Sequence, residues 1–203
     1  MKSPQFALLR FSVLIVLFNV GCATNPVVSR VPPAEQIDLS GQWNDVDSQK
    51  VASAMVQQSL STPWIGEFTA KKQKKPALII GNIANKTSEH IPVKTLVADF
   101  ERSFINSGRI SIVASPEERE GIRSERQDQQ QYASPESAKS WGRELGADFM
   151  LIGEINSITD ANKGKEVRYY QVDCYLVNLE DNTKVWTGFE KIKKYIGRSK
   201  YRP

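Results

Sequence analysis

Three strand-patterned segments follow one another near the C-terminal side with no helical pattern between them, and this limits the fold more than any other feature. They are FMLIGEINSI from Phe149, VRYYQVDCYLVNL from Val167 and KVWTGFEKIKKYI from Lys184. Glu180-Asp181-Asn182-Thr183, between the last two, reads as a hairpin turn. In the middle segment Tyr169, Gln171, Asp173 and Tyr175 alternate with Tyr170, Val172, Cys174 and Leu176, so one face is wet and the other packed. Consecutive strands joined this way run antiparallel.

Upstream the periodicity changes. Val51, Ala52, Met55, Val56 and Leu60 recur at helical spacing, which predicts a helix of about 15 residues from Val46, ending before Pro63. A polar basic turn then leads to Ala77–Ile83, whose β-branched Ile79, Ile80 and Ile83 indicate a buried strand. Pro92 suits the first turn of a helix carrying Val93, Leu96, Val97, Phe100, Phe104 and Ile105, which Gly108 stops. RISIVAS, 109–115, supplies a second strand, and Pro116 opens a polar surface helix. Ser134 is a natural N-cap for a further helix burying Ala138, Trp141, Leu145 and Ala147, with Gly146 as its C-cap.

The resulting order is α-β-α-β-α-α-β-β-β. That order predicts an α+β class: a single domain with a mixed or antiparallel sheet flanked by helices. With 203 residues, 40% hydrophobic and 25% charged, the chain can bury such a core without disulfide or metal staples.

The first residues belong to something else. Lys2 and Arg10 precede the apolar run Phe11–Phe18, then Gly21 and Cys22, the pattern of a secretory signal over 1–21. Its end resembles a bacterial lipobox, although Asn19 stands where Leu is usual. The resemblance implies that Cys22 becomes the acylated first residue, a lipid anchor to the membrane. The alternative is a plain cysteine just past an ordinary cleavage site. In that case a Cys22–Cys174 disulfide is arithmetically open, whereas a lipidated Cys22 leaves Cys174 as a small buried hydrophobe. Ala23 rather than Asp after the cysteine favours the outer membrane, with the domain facing the periplasm.

Residues 22–37, with Pro26, Pro32 and Pro33, read as anchor and tether. About fifteen residues at ~3.1 Å each reach ~45 Å. The folded domain is expected over 38–196 and a basic tail over 197–203. The C-terminal lysines and arginines read as protection of an edge strand, or as attachment to anionic headgroups or wall polymers.

Charge and motifs exclude several functions. The net charge of +4 falls by two when the leader's Lys2 and Arg10 are removed, which is no nucleic-acid-binding polyelectrolyte. His90 is the one histidine, with no nucleophile motif beside it, and no phosphate-cradling glycine run occurs. No catalytic residue, metal ligand, cofactor or small-molecule substrate is indicated. DLSGQWNDVDSQ, Asp38–Gln49, concentrates three carboxylates but lacks the further ligands and glycine of a calcium loop. Asn44 or Asp45 caps the following helix instead, and Trp43 pins the end of the tether to the domain.

DLSGQWNDVDSQKVASAM and ALIIGNIANKTSEHIPV, followed in order by RISIVAS, GRELGADFMLIGEI and YLVNLEDNTKVWTG, resemble the LpoB family of lipoprotein activators of penicillin-binding proteins. The resemblance covers about 38–190. GADFMLIG and the hairpin ending in Val-Trp also look like curli-secretion lipoproteins and the N-terminal domain of the Tol-system propeller protein, which share the fold. The resemblance implies a non-enzymatic protein that docks on a bifunctional peptidoglycan synthase, with Asn85, Lys86 and Thr87 on the docking face. The same three residues also read as a tight turn satisfied by Asn85. The rival function is an envelope assembly or secretion lipoprotein acting by oligomerisation.

Overall fold

In the computed structural model, which describes residues 28–32, 35–137 and 144–197, the chain divides into units 1–35 and 36–203. The described residues of the first unit have no regular secondary structure; the Glu35 N–H donates to the Pro32 carbonyl at 2.9 Å. The expected leader, Cys22, residues 23–27, 33 and 34 of the tether, and 198–203 of the basic tail lie outside the described residues. The apolar core runs from Val51 to Trp186 and so belongs wholly to the second unit; a chain beginning at Ala23 keeps all of it.

Helix α1, Asp45–Leu60, starts at a reciprocal cap. The Asn44 side chain accepts the Asp47 N–H at 3.0 Å and the Asp47 carboxylate accepts the Asn44 N–H at 3.0 Å, satisfying two donors that a helix start leaves unpaired. Between the two capping residues that sequence allows, the structure selects Asn44. Val51, Ala52, Met55 and Val56 form the buried stripe.

Helix α2, Trp64–Lys72, lies mostly on residues to which the sequence reading assigns no element, and only its end overlaps the basic turn that begins at Lys71. Helix α1 ends at Leu60, before Pro63 as expected, and Pro63, with φ −73°, is also the N-cap of the second helix, a place where a missing N–H costs nothing. The rings of Trp64 and Phe68 meet Phe149 edge-on at 5.0 and 5.1 Å, so the helix is held by packing with a residue far along the chain. Gln73, in the left-handed region at φ 53°, terminates it.

Five strands follow: β1 Ala77–Asn85, β2 Ser111–Ile112, β3 Phe149–Asn162, β4 Lys165–Asn178 and β5 Lys184–Gly197. The spatial order is β2-β1-β3-β4-β5. β1 is parallel to β2 and β3, while β3–β4 and β4–β5 are antiparallel, so the domain is α+β with one mixed sheet, as expected. β2 is two residues long, much shorter than RISIVAS suggests. Lys163 and Gly164, at φ 47° and 79°, form the two-residue β3–β4 turn, which matches the twist of paired strands.

Helix α3, Val93–Asn106, buries Leu96, Phe100 and Phe104 against β1 and β2, while Ile105 at its end is exposed. Helix α4, Pro116–Tyr132, is capped by Ser115 and Glu118 and buries no residue, the surface helix that its charge pattern predicts. Of the helix expected from Ser134, residues 138–143 lie outside the described residues; 144–147 are not helical and Leu145, expected buried, is exposed, while Ser134–Ser137 form a turn closed by the Ser137 N–H on the Ser134 carbonyl at 3.0 Å. Helices α1 and α3 cover one face of the sheet, where Leu151, Ile155, Val172, Cys174 and Leu176 are inaccessible or nearly so. The other face stays open toward β5, with Ile158, Phe189 and Tyr195 all more than half exposed.

Candidate functional site

The two sequence marks, Asp38–Gln49 and Asn85–Thr87, meet at one corner of the domain. Asn85 closes β1, and the next residue still belongs to the sheet: the Lys86 N–H donates to the Ile155 carbonyl at 2.8 Å. The Asn85 side-chain oxygen accepts the Thr87 N–H at 3.0 Å and the Thr87 hydroxyl at 2.7 Å, and its amide donates to the Glu89 carbonyl at 2.7 Å. The Glu89 N–H donates back to Thr87 Oγ1 at 3.1 Å. Asn85 and Thr87 therefore hold the loop's shape, an Asx-type turn. Of the three expected docking residues, Lys86 is the one whose side chain is exposed.

The loop delivers Glu89 inward. Its carboxylate accepts the Tyr170 hydroxyl at 2.6 Å, Arg168 Nη1 at 2.9 Å and the Trp43 N–H at 3.2 Å. Tyr170, fully buried on β4, needs a partner for its hydroxyl. The Gly41 carbonyl lies 3.1 Å from the same oxygen, and the nearer, charged acceptor takes the single proton. Burial, with Glu89 adjoining, pushes the Tyr170 phenol above its ordinary range. Arg168 also pairs with Glu166 on its own strand.

Residues 36–43 cross this corner as a strap. Trp43 sets its ring edge-on to Tyr170, centroids 5.6 Å apart, and donates from Nε1 to Ser48 Oγ at 2.8 Å. Gly41 lies so close to β5 that a Cβ there would come within 2.0 Å of Ile196 Cδ1. Lys194 of β5 fastens the strap from below, donating to Asp47 at 2.6 Å, the Gln42 carbonyl at 2.9 Å and Asp38 at 3.0 Å. Gln36, Lys194 and Asn44 all donate to Asp38, and these bonds, led by Gln36 and Lys194, hold its carboxyl below the usual carboxylate range. Trp43 does pin this segment to the domain, and the carboxylates Asp38 and Asp47 serve the strap and the helix cap.

Sequence reading alone misses Glu89, Arg168 and Lys194. The one available signal is Tyr170, which falls in the packed half of the β4 alternation and so demands a buried acceptor. What the corner presents chemically is a rigid loop and strap whose carboxylates each have a donor. Among the described residues no group of three or more His, Cys, Asp and Glu side chains is placed to hold a metal. His90 is exposed. Nor is any described helix long and apolar enough to cross a membrane.

Fold and corner define an α+β domain with a helix-covered mixed sheet and a pinned N-terminal strap. The chain belongs to the family described as peptidoglycan-synthase activator LpoB, whose model matches residues 47–192. Among solved structures it is similar to the LpoB C-terminal domain from Escherichia coli, at 14% identity over 73% of this chain and 99% of that one, TM-score 0.41. It is also similar to lipoprotein GNA1162 from Neisseria meningitidis, at 11% identity over 62% and 88%, TM-score 0.41. A third similar structure is a PelC dodecamer from Paraburkholderia phytofirmans, at 14% identity over 61% and 74%, TM-score 0.31. No curated protein matches the chain.

Proposed function

We propose that this chain is an envelope lipoprotein, acylated at Cys22 and facing the periplasm from the outer membrane, that binds a bifunctional penicillin-binding protein and raises its synthetic activity. The family match over 47–192 carries this reading, because it spans the Asn85–Thr87 loop as well as β1 to β4 and most of β5. Activation by docking needs no catalytic group on the activator. It needs preferential affinity for the synthase's active conformer, since equal affinity for both conformers shifts nothing. A loop stiffened by Asn85 and Thr87 loses little conformational freedom on docking, which leaves Lys86 as its exposed contact group.

The test is reconstitution. Purified residues 23–203 are expected to raise glycan polymerisation or peptide crosslinking by a cognate synthase, and Lys86→Glu to weaken that effect without altering thermal stability. No stimulation by any cognate synthase, together with a ring-like oligomer in sedimentation, would replace this reading with the assembly role. For the anchor, Cys22→Ala should abolish labelling by an alkyne fatty acid; labelling that persists rules out acylation at that position.

A further inference from the structure

The sheet ends at β5, and the hydrogen-bonding parity of that strand leaves its outer edge free. In an antiparallel ladder alternate residues turn both backbone groups toward the neighbour and the rest turn them away. The Phe189 carbonyl accepts from Gln58 of α1 and so points outward. By the same parity Lys191, Lys193 and Tyr195 direct N–H and C=O away from β4, and all three residues are exposed. Among the described residues no hydrogen bond reaches the backbone of these three from outside the sheet.

A groove of about 630 Å³ runs along this edge, between β5 from Glu190 to Gly197 and the wall made by the strap and Lys50 of α1. Leu39, at 94% exposure, stands on its rim as an unburied apolar anchor. The lining carries four lysines, Lys50, Lys191, Lys193 and Lys194, against three carboxylates, Asp38, Asp47 and Glu190. Asp38 and Asp47 share Lys194, Glu190 accepts from Gln58, Lys50 bonds the neutral Gln36, and no carboxylate pairs with Lys191 or Lys193 among the described residues. The unpaired charge on the edge strand's exposed residues, Lys191 and Lys193, is therefore positive.

We propose that the β5 edge from Lys191 to Gly197 is a docking edge that takes an extended, acidic and apolar segment of a partner protein as a sixth strand. Main-chain hydrogen bonds to Lys191, Lys193 and Tyr195 supply affinity, and the lysines with Leu39 select the sequence. A second copy is a poor occupant, because antiparallel pairing of two β5 edges sets lysines against lysines. The site is separate from the Lys86 loop and does not depend on that loop's role.

The chain from Ala23, isotopically labelled, is titrated with a capped nonapeptide alternating Glu with Val and Thr, and with the same peptide carrying Lys for Glu. The acidic peptide is expected to bind and to slow hydrogen exchange at the Lys191, Lys193 and Tyr195 amides; the basic one is not. Lys193→Pro removes one outward N–H while the inward β4 pairs remain, and should weaken binding about tenfold or more. Should that variant misfold, the Lys191→Glu/Lys193→Glu double variant is decisive, because it should prefer the basic peptide. Equal binding of both peptides, no binding of either, or an unchanged preference in the double variant overturns the proposal. So does slow exchange of these amides in the free chain, or a dimer in sedimentation that Lys193→Pro dissolves, since the edge would then be filled from within or by a second copy.

Discussion

The two faces of β4 carry the same alternating strand into opposite physical situations. On the covered face Tyr170, Val172, Cys174 and Leu176 are at most 1% exposed and touch residues distant in sequence. On the open face Tyr169, Gln171 and Asp173 bond one another along the strand: the tyrosine hydroxyl donates to Gln171 at 2.8 Å, and the Gln171 amide donates to Asp173 at 2.9 Å. Lys184 lies over the Tyr175 ring at 3.8 Å, and Lys191 of β5 lies over Phe189 at 4.8 Å. One face gains its stability from long-range burial; the other satisfies itself locally and leaves its outer strand available.

That contrast predicts a graded series. The largest loss should come from Leu151→Ala, which empties space on the covered face and should cost ~2–5 kcal/mol in urea unfolding. Glu89→Ala comes next, at ~1–3 kcal/mol, because it strips the Trp43 N–H of its acceptor and leaves the Tyr170 hydroxyl only the Gly41 carbonyl. Phe189→Ala on the open face should stay within about 0.5 kcal/mol, as exposed substitutions do. A Phe189 loss equal to that of Leu151 would erase the distinction between the faces.

Two titrations sharpen it. The Cys174 thiol is pushed up to about 12, by burial first and then by the Asp173 charge, so it should resist thiol reagents at pH 8 until the domain unfolds. Its folded value exceeds the unfolded one, so its contribution is complete below about pH 9 and is lost as pH rises from there toward 12. Asp38 works in the opposite sense. Its folded value is depressed, so its smaller contribution is present above the unfolded carboxylate value of about 3.9 and disappears as pH falls through the folded one. Lys194→Met should shrink that acid-side loss, measurable as a flatter stability profile below pH 4.

Much of the fold was legible because its signals are local. The alternation in β4, the Asn44 start of α1 and the polar character of α4 each depend on neighbours within a few residues. Helix α2 was not legible, because Pro63 resembles a stop as much as a start, and the Phe149 that decides the matter lies far along the chain. The corner divides the same way. The Asn85 turn could be read from Asn-Lys-Thr, but the carboxylate behind it is Glu89, whose tyrosine partner lies 81 residues away. Lys194 looked like one of several edge lysines; only the inward parity of its position, with an Asp 156 residues earlier, makes it a fastening for the strap.

That fastening has a mechanical consequence. A pull arriving at residue 36 meets Asp38 and Trp43 before it meets α1; Asp38 is tied to Lys194 of β5, and Trp43 to the Tyr170 ring of β4 and to Glu89 in the loop after β1. Load is thus shared among polar ties that can break and re-form individually while the apolar core stays closed. The strap acts as a strain relief, and tension arriving through residue 36 would slacken the corner well before it unwound the first helix.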